Sequence, residues 1–230
     1  MSGREVLWWL RWVTAYAPLS LTLCPREHSS RMSQLPRCNP GPVSPIHTIQ
    51  YAEQLSSVDL WLKKAEELLA SATVLRAEVE QYWSEIVFRN GQIITTPDRT
   101  YVQPVYSMIV AYAIENYCKA LLVFQHSGDL QNRVLRRLPR YLKSHDLTGL
   151  ARRIGMSLSV PDEELLSRLT RNSEWAARYP VPTEPSATAA ARKFSDGRQY
   201  LIAYLGPNDL NRIDEFVDRL AGFVREQMGA

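Results

Sequence analysis

The chain has 230 residues, 45% of them hydrophobic, enough for one domain with a real core plus additional segments. Its formal net charge is only +3, so the overall balance does not argue for nucleic acid; a local cluster would have to. Cys24, Cys38 and Cys118 are too few and too scattered for a disulfide framework, and no C-x-x-C pair offers metal ligands, which fits a reducing, cytoplasmic setting.

Residues 1–50 do not read like the rest. Leu7 to Leu23 is apolar, but Arg11 and Pro18 interrupt it, and it falls short of the roughly 20 clean apolar residues of a spanning helix. As a signal peptide it is poor: Arg4, Glu5 and Arg11 mix charges, and no small-x-small site precedes Cys24. Cys24 to Pro45 is rich in proline, serine and arginine. Residues 1–50 are therefore expected to be an irregular, disordered extension, with Met32 a candidate for the true start and a membrane-surface anchor the alternative.

Residues 51–230 carry the helical domain. Leu60, Leu62, Ala65, Leu68, Leu69, Ala72 and Leu75 predict a long amphipathic helix reaching Tyr82 or Trp83, with Ser56, Ser57 and Asp59 as candidate N-caps. Phe88 to Tyr101 is a connection carrying the turn signal Asn90-Gly91. Ile93 and Ile94 form a short extended piece with no hairpin partner after it.

The most strongly patterned stretch is Val102 to His126, a central helix. Tyr106, Ile109, Val110, Ala113, Ile114, Tyr117, Ala120, Leu121 and Phe124 define one face, widened by Ala111, Leu122 and Val123, so burial on more than one side is expected. Within it, Cys118 reads as a small buried apolar residue. Glu115 and Lys119 form an i, i+4 pair in the favourable order. They read either as an ion pair bracing two helices or as a polar patch lining a ligand cleft.

Gln131 to Lys143 is basic, and Pro139 predicts a break there before a new start near Ser144. From Arg133 to Arg153 stand seven basic residues, including Arg136, Arg137 and Arg140, and one acid, Asp146. Such a run is either a solvated face or a phosphate-contacting one. Ser144 is a cap for a helix carrying Leu147, Leu150 and Ile154, ended by Gly155. The next helix starts at Pro161-Asp162-Glu163-Glu164, buries Leu165, Leu166, Leu169 and Trp175, and ends before Tyr179. Ala187 to Leu205 reads as alanine-rich helix with an interruption near Gly197, and Leu210 to Val224 as a last helix burying Ile213, Phe216, Val217, Leu220 and Phe223. The fold class is all-α, a bundle of four to five main helices.

Three elements carry a resemblance: Glu115 with Lys119-Ala120-Leu121-Leu122, then His145-Asp146-Leu147 with Leu150, then Ala177-Arg178-Tyr179-Pro180. In this order they resemble the HEPN domain, the helical module of higher eukaryotic and prokaryotic nucleotide-binding proteins, over roughly Leu60 to Met228. The resemblance implies an up-and-down bundle paired as a homodimer, binding RNA or nucleotide phosphates in a toxin–antitoxin or defence system. A separate nucleotidyltransferase-type protein is the partner it implies, and no cofactor.

No H-E-x-x-H, Asp/His cluster or G-x-S-x-G is present, which argues against a metal hydrolase or a serine acyl-transfer enzyme. HEPN proteins are often metal-independent ribonucleases built on an R-x(4–6)-H motif, and Arg140 with His145 fits that spacing. Residues five apart lie about 140° apart on a straight helix, so the two converge only if the break at Pro139 re-aims the arginine. In nuclease members the motif belongs to a later helix. Here that place is Arg171-Asn172, and no histidine follows it. The candidate catalytic residues are thus His145 with Arg140 or Arg171. Glu115, Lys119, Arg136, Arg137, Arg171, Arg178 and Tyr179 are candidate nucleotide or RNA contacts, and no metal ligands are expected. A non-catalytic protein-interaction module is the remaining alternative.

Overall fold

The computed structural model describes residues 45–89, 92–95, 97–131, 138–176, 191–193, 199–201 and 205–229. The expectations for Leu7–Leu23 and Met32 lie outside these residues. Helix α1, Pro45–Ser56, begins ahead of Gln50, and α2, Val58–Glu85, follows directly. Ser57 is the cap of α2: its hydroxyl accepts from the Leu60 N–H at 3.4 Å. Trp61 pins the two helices together by donating its indole N–H to the Leu55 carbonyl at 3.0 Å.

The central helix α3 spans Gln103–Gln125, with Pro104 at its start, where a missing N–H does no harm. It lies antiparallel to α2. Trp83 near the end of α2 donates to the Gln103 side chain at 3.0 Å, and at the other end Lys119 Nζ stands 6.0 Å from the Trp61 ring centroid. Ala65, Ala72 and Val79 of α2 are buried at heptad spacing, small enough to let α3 approach closely. On α3, burial runs almost unbroken from Val110 to Val123, as a helix flanked on several sides requires. The helix is long and apolar enough to cross a membrane by composition, but most of it is buried against its neighbours, which is how a core helix passes the same test.

After α4, Ser127–Gln131, and a 3₁₀ turn, Arg140–Leu142, come the short α5, Leu147–Arg153, and α6, Val160–Arg171. Leu142, Leu147, Leu150, Leu165, Leu166 and Leu169 close the core over α3. Gly155, at φ +87°, takes the left-handed conformation that ends α5. The last helix, α7, Asn208–Met228, buries Ile213, Phe216, Val217 and Leu220 and leaves Phe223 half-buried. It runs antiparallel to α6, held at one end by Arg168 with Asp209 and at the other by Asp162 with Arg219. The architecture is an all-α helical bundle.

Four local readings are corrected. Ile93 and Ile94 do have a strand partner, but it lies upstream: β2, Gln92–Thr95, pairs antiparallel with β1, Val87–Arg89. Asn90-Gly91 between them is the hairpin signal. In the stretch expected to be alanine-rich helix, β3, Ala191–Lys193, pairs with β4, Gln199–Leu201. Asp196-Gly197, a dipeptide favoured in hairpin turns, stands between them in sequence. Leu60 and Phe124, assigned to buried faces, are 43% and 42% exposed; Leu60 is turned away from the side of α2 on which Val58, Trp61 and Leu62 meet the core. Ser144 does not cap α5; Asp146 occupies that position, and the Ser144 hydroxyl instead accepts from the Asp146 N–H at 3.2 Å.

The start of α6 makes a pH prediction. Burial pushes the Asp162 carboxyl up, but Arg219 and the Ser159 hydroxyl and N–H hold it below its ordinary value. A carboxyl depressed in the folded state contributes stability above its unfolded pKa and loses it as pH falls through the folded one. Asp162→Asn should therefore melt below wild type at neutral pH, and the gap should begin to shrink as pH falls below about 4 and be gone only once pH has passed below the depressed folded value. A gap independent of pH would show that the ion pair is not its source.

Candidate functional site

The polar centre of the bundle grows out of α3. Glu115 is 6% exposed and Lys119, one turn later, is 4% exposed. Both charges survive there only because they are paired: Lys119 Nζ donates to Glu115 Oε1 at 2.5 Å. The second carboxylate oxygen is also occupied. His145 Nδ1 lies 2.9 Å from Glu115 Oε2. A carboxylate only accepts, so Nδ1 carries the hydrogen of this bond, and Nε2 of the neutral ring is left as an acceptor. The Glu115 side chain is deeply buried while that of His145 is 59% exposed, so a buried carboxylate fixes an imidazole that faces solvent.

Three neighbouring elements hold His145 in place. Pro139, at φ −54° and ψ 148°, turns the chain into the 3₁₀ turn, whose Leu142 is fully buried. Leu147 at the start of α5 donates its N–H to the Thr170 hydroxyl of α6 at 3.2 Å. Tyr112, just N-terminal to Glu115 on α3, donates its hydroxyl to the Ser173 carbonyl beyond α6 at 3.2 Å. The end of α6, the start of α5 and the middle of α3 therefore meet around Glu115. Arg171, next to Thr170, is half-buried at this junction, with no ion pair among the described residues.

The structure thus brings Glu115, Lys119 and His145 into contact. Arg140 is exposed on the 3₁₀ turn and, among the described residues, makes no bond to His145. Arg136, Arg137, Arg178 and Tyr179 lie outside the described residues. Of the basic run, Arg152 is answered by Glu163 at 2.5 Å, whereas Arg153 donates to the Tyr141 carbonyl at 3.1 Å. Sequence reasoning also missed a ring pair: His126, at the C-terminal cap of α3, lies over Tyr141 with centroids 4.7 Å apart and planes tilted by 35°.

Cys118, on the same helix, is no nucleophile, since complete burial pushes its thiol up to about 12. Among the described residues no three His, Cys, Asp or Glu side chains converge as metal ligands would. The fold and the centre together define a helical bundle with a buried carboxylate–ammonium pair that holds a solvent-facing imidazole. Compared with family models, curated proteins and solved structures, the chain matches none.

Proposed function

We propose that the chain is a HEPN-type helical protein that binds RNA or nucleotide phosphates on the basic surface between Arg140 and Arg153. The observation that carries this reading is that exposed cations without acidic partners stand together on one turn. Arg76, Arg99, Arg152, Arg168, Arg212 and Arg219 all face carboxylates. Arg140 and Lys143 are exposed and have no acidic partner among the described residues, and Arg153 donates to a backbone carbonyl. Cations left unanswered beside one another favour an anionic ligand. The reading includes a cytoplasmic homodimer working in a toxin–antitoxin or defence setting, beside a separate nucleotidyltransferase-type protein.

RNA affinity measured across a salt series tests it. Arg140→Glu with Lys143→Glu should weaken binding at least about tenfold and lower the salt slope by more than about one, since each phosphate contact on a single strand contributes about 0.7. Unchanged affinity and slope would remove the basic surface as the binding face.

The Glu115–His145 bond favours a second reading, a metal-independent endoribonuclease. His145 Nε2 would take the proton of a ribose 2′-OH, O2′ would attack phosphorus, and the P–O5′ bond would break with a proton returned to O5′. This leaves a 2′,3′-cyclic phosphate, with Arg140 or Arg171 stabilising the charged phosphorane. Cleavage of mixed RNA in chelator, lost in His145→Ala, would support it. Full cleavage by that variant would exclude it.

A further inference from the structure

The His126–Tyr141 ring pair plays no part in the cluster at Glu115, and its tyrosine stands on the same turn as the unanswered cations. Tyr141 follows Arg140 on the 3₁₀ turn, Lys143 ends that turn, and Arg153 donates to the Tyr141 carbonyl at 3.1 Å. The tyrosine ring is half-buried and the histidine is exposed. The imidazole is paired with the Tyr141 ring, with centroids 4.7 Å apart and planes tilted by 35°, while the residue as a whole stays exposed. The backbone of His126 is anchored as the cap of α3, its main-chain N–H donating to the Leu122 carbonyl at 3.1 Å. An exposed aromatic ring paired with a tyrosine whose own turn carries cations is the kind of arrangement on which an unpaired base stacks while its phosphates are neutralised.

We propose that His126, supported by Tyr141, is a stacking platform that makes single-stranded RNA the preferred ligand of this surface. The inference rests on the phosphate-binding reading and narrows it. A-form duplex RNA keeps its bases stacked on one another, so it can use the cations but not the ring.

The test compares a short single-stranded RNA, a blunt RNA duplex of the same length and inorganic polyphosphate by fluorescence anisotropy and competition. Wild type should prefer the single strand. His126→Ala should weaken single-strand binding about tenfold, the scale of one stacked base, while His126→Phe holds it within about twofold. Polyphosphate binding should be the same in all three proteins. Equal affinity for single strand and duplex would overturn the platform alone, as would a His126→Ala variant that binds the single strand like wild type. Equal losses for RNA and polyphosphate would also overturn it, by assigning His126 a charge or folding role. Failure of wild type to bind any of the three probes would overturn the phosphate-binding reading along with it.

Discussion

Replacing Glu115 by alanine should destabilise the fold by about 3–5 kcal/mol, because it leaves the Lys119 ammonium buried without its partner. At 4% exposure Lys119 has no route to water without local opening, and the bond it loses is 2.5 Å long. For a chain of this size the loss should lower the melting temperature by roughly 6–20 °C. The same variant releases His145 from its 2.9 Å bond, so site order and stability should fall together. Glu115→Leu with Lys119→Met should restore most of the stability, since removing both charges leaves neither uncompensated. Thermal melts of the three proteins separate the contributions. A Glu115→Ala variant within about 1 kcal/mol of wild type would contradict the buried pair, since breaking such a pair should exceed that.

The second large effect is expected where α6 meets α7. Arg168 grips Asp209 with two parallel bonds of 2.6 and 2.8 Å, both side chains nearly buried. Arg168→Met should cost about 3 kcal/mol, near the low end for a broken buried pair. It falls there because Asp209 keeps Arg212 at 3.0 Å and the Gly206 N–H at 2.8 Å. Urea denaturation is the measurement, and a lower midpoint with an unchanged slope is the expected result. An unchanged midpoint would mean that the arginine does not hold α7 to α6.

What could be read from the sequence follows from the range of the interactions. The central helix was legible to within a residue at each end, because its apolar spacing is local and dense. The Glu115–Lys119 pair was legible for the same reason: i, i+4 geometry belongs to the helix itself. The bond from His145 to Glu115 spans thirty residues and exists only once α5 packs on α3, so the histidine could be singled out but not its partner. Arg168 and Asp209 are further apart still and carried no local signal. The His126–Tyr141 pair depends on the turn at Pro139, whose break was expected but whose direction was not. The two hairpins were hidden because their strands are three or four residues long, too short for alternation to show. Only the Asn90-Gly91 and Asp196-Gly197 dipeptides marked them.

The central claim is that the surface from His126 to Arg153 meets RNA. Ultraviolet crosslinking of the full chain to single-stranded RNA, followed by mass spectrometry of the linked peptides, addresses it directly. The account predicts crosslinks on peptides containing His126, Tyr141 or their basic neighbours, and their loss when polyphosphate competes. Crosslinks confined to the outer face of α2 or to α7, or none under conditions where the chain is folded, would contradict it.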